Sequence, residues 1–143
     1  MKKILIFSFI IILVGFGCKK ANEKDADLLK VKWVLSYIQD TKTNTITNYP
    51  SDAYSRISIE FTDSLNLFLF NGICNYGTGT YIYSSSTGAI QISVPVITKV
   101  ACKYDEWEGY ASQNLNSASS YKINGNNLVI YSNDAYNLYF KQN

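Results

Sequence analysis

The chain opens on an apolar run and then changes period twice. Ile4 to Phe16 is almost unbroken hydrophobic sequence, set between Lys2-Lys3 and Gly17. Lys19 to Lys30 is polar and charged, and from Val31 the apolar positions alternate. Val31, Trp33, Leu35 and Tyr37 fall on one side of a first strand, because successive side chains of a strand point to opposite faces. Ile57, Ile59 and Phe61 alternate with Arg56, Ser58 and Glu60 in a second. Thr62-Asp63-Ser64 turns the chain into a return arm that starts with Leu65, Leu67 and Leu69. Gly72, Gly77 and Gly79 punctuate the next stretch, as at the corner of a small barrel. Strands over 80–83 and 90–94 flank a turn at 84–88, and Pro95 stops the second of them. At Asp105 the period becomes helical: Trp107, Tyr110, Ala111, Leu115 and Ala118 share one face, with Asp105 as cap and Glu108 in capping-box position. Strands over 121–123 and 128–131 flank Asn124-Gly125, a strong hairpin signal, and Asn133-Asp134 leads into a last strand over 138–140. Eight strands in short antiparallel connections and one packed helix over about 105–119 predict a mostly β protein, a closed or cracked barrel.

The N-terminal run divides the chain. A basic start, an apolar stretch and Gly15-Phe16-Gly17 directly before Cys18 have the layout of a secretory signal, and the run is too short to cross a bilayer. Cys18 after a small residue resembles the lipobox of bacterial lipoproteins, in which the thiol receives the lipid; Gly15 stands where Leu is usual. The expected organisation is a lipoprotein signal over 1–17, a polar tether over 18–30 and one domain over 31–141. Lys19 and Lys20 follow Cys18 with no acidic cluster, and the expected place is an outer-membrane anchor facing the periplasm.

Loss of the signal takes Lys2 and Lys3 from 13 basic residues, leaving 11 against 11 acidic ones. A neutral mature chain of about 125 residues has no electrostatic footprint for nucleic acid but is long enough for one core. With Cys18 lipidated, Cys74 and Cys102 remain as partners for a disulfide in an exported domain, the alternative being two buried thiols. The chain has no histidine, which removes the commonest general base and metal ligand.

The order of motifs resembles the META domain family of HslJ-like bacterial lipoproteins. Trp33-x-Leu35 opens the match; Gly72, Cys74-Asn75-x-x-x-Gly79-x-Tyr81 and Thr98-x-x-Ala101-Cys102 follow; Tyr110, Leu115, Tyr121, Gly125 and Leu128 complete it. Val100 stands where Met is common. The resemblance implies a barrel-like fold with a packed helix and an envelope setting linked to stress, with no agreed biochemical activity. A lipid-binding pilotin of similar fold is an analogy at the level of the fold alone.

Trp33, Asn75, Gly79, Tyr81 and Thr98 read as structural motif residues, Asn75 tying down backbone beside a glycine-rich bend and Thr98 satisfying backbone in an irregular segment. Asp105, Glu106 and Glu108 form an acidic cluster suited to a helix's first turn, and Glu60 with Asp63 lacks the marks of an acid/base pair. Tyr76, Tyr81, Tyr83, Tyr121 and Tyr131 suggest an aromatic ligand platform or, more simply, half-exposed strand positions. The expectation is a non-enzymatic envelope lipoprotein without metal or cofactor, held to the membrane by Cys18 and binding a protein partner through the loop over 40–55 and the nearby barrel rim. The alternative is a carrier of lipid or a small hydrophobic ligand in the barrel interior.

Overall fold

The computed structural model describes residues 28–143, so the signal, Cys18 and most of the tether lie outside the described residues. The elements run β1 (Lys32–Asp40), β2 (Ile46–Asn48), β3 (Ser58–Phe61), β4 (Leu67–Asn71), β5 (Tyr76–Ser84), β6 (Ala89–Ile97), α1 (Asp105–Asn116), β7 (Ala118–Asn124), β8 (Asn127–Ser132) and β9 (Tyr136–Gln142). Neighbouring strands pair antiparallel from β3 to β9, and β9 returns to β1 to close an eight-stranded barrel. The ninth strand, β2, lies in the segment expected to be loop. It shares one edge of β1 with β3, pairing at residues 37–39 while β3 pairs at 32–34.

Several local readings change. β1 carries a bulge between Leu35 and Tyr37, so Trp33, Leu35 and Ile38 face inward and Tyr37 faces outward. One extra residue is enough to move a strand's inward set to the other parity. In β4 the inward residues are Phe68 and Phe70, whereas Leu65 and Leu67 are exposed. β6 passes through Pro95 to Ile97 instead of stopping. Its register against β5 slips between Thr78 and Thr80, and a bulge is where a strand tolerates a residue with no N–H. Leu28 is fully buried and its carbonyl accepts from Trp33 Nε1 at 3.2 Å, so the packed domain takes in the end of the expected tether.

The barrel is filled rather than hollow. Trp33, Phe61, Phe68, Phe70, Tyr81 and Phe140 are all buried to 2% exposure or less. Gly77 and Gly79 of β5 pair with Phe70 and Phe68 on the same inward face, setting small residues beside large ones. Tyr81 meets the Phe61 ring edge-on, with centroids 5.0 Å apart, and its hydroxyl donates to the Thr62 carbonyl at 2.7 Å. Trp107, Ala111 and Leu115 of α1 join the same core. Asn114, 1% exposed, fastens the helix to β9: Oδ1 accepts from Tyr136 N at 2.8 Å.

The weakest join lies between β6 and β7, which share one residue pair, Ala89 with Ser120. Beyond it the strands part, and Asn116 Oδ1 takes the Val94 N–H at 2.7 Å where a strand partner would stand.

Candidate functional site

The glycine-punctuated turn after β4, the segment after β6 and the start of α1 meet at one end of the barrel. Cys74 and Cys102 are joined there in a disulfide with Cα atoms 6.5 Å apart, which resolves the two alternatives left by the sequence. Beneath it lies Glu108, only 5% exposed. The helix is entered from Tyr104 in a left-handed conformation, with no side-chain cap. Asp105 is therefore the first helical residue, and Glu108 does not close a capping box. Glu108 reaches instead across to the turn: Oε1 accepts from Cys74 N at 2.7 Å and Asn75 N at 3.1 Å, and Oε2 accepts from Asn75 Nδ2. Backbone N–H groups aimed at a carboxylate are strong, charge-assisted donors.

Asn75 spends its amide in two directions. Nδ2 also donates to the Val100 carbonyl at 2.9 Å, while Oδ1 accepts from Val100 N at 2.7 Å and from Thr98 Oγ1 at 3.0 Å. Thr98 Oγ1 in turn accepts from Tyr76 N at 3.0 Å. The Asn75 side chain thus ties down a segment distant in sequence instead of its own turn, whose backbone N–H groups Glu108 holds. Gly72 completes the arrangement: a Cβ there would run into the Glu108 carboxylate and come within 2.8 Å of the Asn75 carbonyl oxygen.

This network holds Val100 outward, 57% exposed, over a shallow cleft. The cleft, about 530 Å³, is lined by residues 97–101 on one side and Asp105, Glu106, Gly109 and Ser112 of α1 on the other. Nothing lies within 4 Å of where a Gly109 Cβ would be, so a residue that weakens the helix also leaves the cleft open. Beside it, Asp52 accepts from the Tyr104 hydroxyl at 2.6 Å and from Lys103 Nζ at 2.9 Å, and these donors hold the Asp52 carboxyl below its ordinary range.

The structure brings Cys74, Cys102, Asn75 and Thr98 together and places Trp33, Gly79 and Tyr81 in the core. Glu108, the centre of the network, is expected from the sequence as a capping-box residue and as part of the first turn's acidic cluster; it is buried and caps nothing. Its signal was available: Glu108, Ala111 and Leu115 stand at i, i+3 and i+7, so this carboxylate lies on the apolar face. The Cys74 and Cys102 sulfurs and a Glu108 oxygen lie within 4.8 Å of one another. With the sulfurs bonded to each other and the carboxylate engaged by three donors, the arrangement is a structural clasp. The five tyrosines do not form one platform: Tyr81 is core, Tyr76 is 65% exposed, Tyr83 and Tyr121 meet edge-on, and Tyr131 stands on another face. Among the described residues no helix is long and apolar enough to cross a membrane.

Among solved structures, an NMR structure of a Burkholderia xenovorans protein is similar with a TM-score of 0.67 at 17% identity, covering 100% of this chain and 99% of that one. A crystal structure of a duf4847 family protein from Bacteroides vulgatus is similar with a TM-score of 0.62 at 14% identity, covering 81% of this chain and 94% of its own. At these identities the likeness is one of fold. No functionally curated protein matches the chain. The META domain profile matches residues 26–143, which takes in the barrel, the disulfide and the whole Glu108–Asn75 network: the chain belongs to the META domain family.

Proposed function

We propose that this protein is a non-enzymatic envelope lipoprotein, anchored through lipidated Cys18 on the periplasmic side of the outer membrane, that acts by binding a protein partner at the cleft beside Val100. One observation carries the reading. A buried carboxylate, a fully engaged Asn and a disulfide are all used to hold an exposed apolar residue in a fixed position. Pre-ordered exposed apolar groups beside a cleft suit recognition, since little conformational freedom is left to lose on binding. The segment over 40–55, the first candidate for this role, is built into the fold: Tyr49 is 5% exposed, packs edge-on to Trp107 and donates to the Ser55 carbonyl. Tyr49 therefore anchors the segment to the site, while residues 42–48 stay exposed beside it. The lipid-carrier alternative would require the barrel interior, which large side chains already occupy.

The test is made in cells. Labelling with a clickable fatty acid should succeed in the wild type and fail in Cys18→Ser. A photo-crosslinking residue at position 100 should capture a discrete partner, and one at Ile82, more exposed than Val100 and on β5, should not. A wild type that never labels removes the anchor. Equal capture from both positions removes the cleft.

A further inference from the structure

The outer face of β7, β8, β9 and β1 carries a second surface, independent of the Val100 cleft. Strand register sets Lys122, Val129, Tyr139 and Tyr37 in one row across these four strands, with Asn124, Asn127 and Lys141 in the next. Together with Tyr131 they line a groove of about 260 Å³. Two features show that the groove is already ordered. Tyr37 and Tyr139 are stacked, with centroids 4.3 Å apart and planes at 15°, and the Tyr139 hydroxyl donates to Gln39 Oε1 at 2.6 Å. Its charge is one-sided: no carboxylate lines it, and among the described residues the ion pairs are Lys30–Asp63 and Lys103–Asp52, so neither Lys122 nor Lys141 is paired.

From this juxtaposition we propose that the groove binds an acidic oligosaccharide. Tyrosine rings present an apolar body with a polar tip, which suits the C–H face of a pyranose ring and its hydroxyls. Asn124 offers an amide donor and an acceptor, the pairing a sugar hydroxyl needs, and Asn127, whose Nδ2 donates one N–H to the Asn124 carbonyl at 3.3 Å, keeps its acceptor and a second N–H. Lys122 and Lys141 then meet the carboxylates of neighbouring residues. A fixed platform lowers the entropy lost on binding, which matters for a weak, shallow site.

The probe is trigalacturonate, titrated calorimetrically into the full-length chain in detergent, with neutral maltotriose and a short thymidine oligonucleotide as comparisons. Saturable trigalacturonate binding is expected, at least tenfold tighter than maltotriose, and weakened by added salt. The exposed double variant Lys122→Gln/Lys141→Gln should lose about tenfold in affinity, and Tyr131→Ser should weaken binding while both variants keep the wild-type melting profile. Absence of saturable binding, unchanged affinity in the double variant, equal binding of maltotriose, or tighter binding of the oligonucleotide would each overturn the proposal.

Discussion

Glu108 shows how much a single side chain can organise. Its oxygens accept from two backbone N–H groups and one amide, so replacing one oxygen by an NH₂ sets donor against donor. Glu108→Gln should cost about 2–3 kcal/mol, the penalty for a buried donor left unsatisfied, and Glu106→Gln on the exposed side of the same turn should stay within about 0.5 kcal/mol. Urea unfolding of the two variants measures the difference. Tyr81 offers a test in alkali. Burial pushes its phenol from 10.0 up to about 12, so the folded state favours the neutral form. Its contribution is whole below pH 10, where the unfolded phenol is also neutral. It fades as pH rises from 10.0 towards about 12 and is gone above that. Tyr81→Phe should therefore lose stability at neutral pH, through the orphaned Thr62 carbonyl, and show a shallower decline in that alkaline interval. The decline does not vanish, because burial also raises Tyr49 and Tyr139.

At the scale of elements, the segment leading from β6 to α1 has no strand or helix of its own and depends on cross-links. The disulfide joins positions 28 apart in sequence, and Asn75 and Glu108 work within the same turn. Reduction should lower stability by about 3–4 kcal/mol in the chain-entropy account. Asn75→Ala combined with Cys74→Ala/Cys102→Ala should cost less than the sum of the two changes, since they share a network. Tyr49→Ala should cost about 3 kcal/mol in urea unfolding, as loss of a buried aromatic does. Alternation made β3 and β8 legible in the sequence, because each keeps its parity from end to end; of β5 only 80–83 was legible, because glycines hold its inward positions at 77 and 79. It misled in β1, where an extra residue shifts parity midway, and in β4, where Leu67 and Leu69 are as apolar as the Phe residues that point inward. The Asn124-Gly125 hairpin was legible too: Gly125 has φ +55 at the first central position, which a type II′ turn reserves for glycine. In the site, the two cysteines were legible as a pair, and Asn75 and Thr98 as backbone ties, but not the contact between them. Glu108 was not, because a carboxylate in the first turn of a helix already has a sufficient surface explanation.

On the scale of the whole molecule, closure leaves β6–β7 as the seam. Seven of the eight joins are ladders, whereas this one holds a single pair. Native-state hydrogen exchange should find the β6 amides facing β7 less protected than those of the β1–β9 ladder. Equal protection of the two joins would show that Asn116 seals the gap as well as a strand does.

The β1–β9 ladder has a temporal consequence. It brings together groups 100 positions apart, as Tyr139 and Gln39 are, and farther still where Trp33 meets Gln142. A polypeptide emerging from the N-terminus can form the early hairpins, yet the cylinder has no closing partner until Lys141 and its neighbours have been made. Such distant pairing is slow to find, on the order of milliseconds to seconds for β proteins of this kind. The unfinished chain therefore stays pliable through most of its synthesis. That interval ends in a ring whose last-made strand locks against its first.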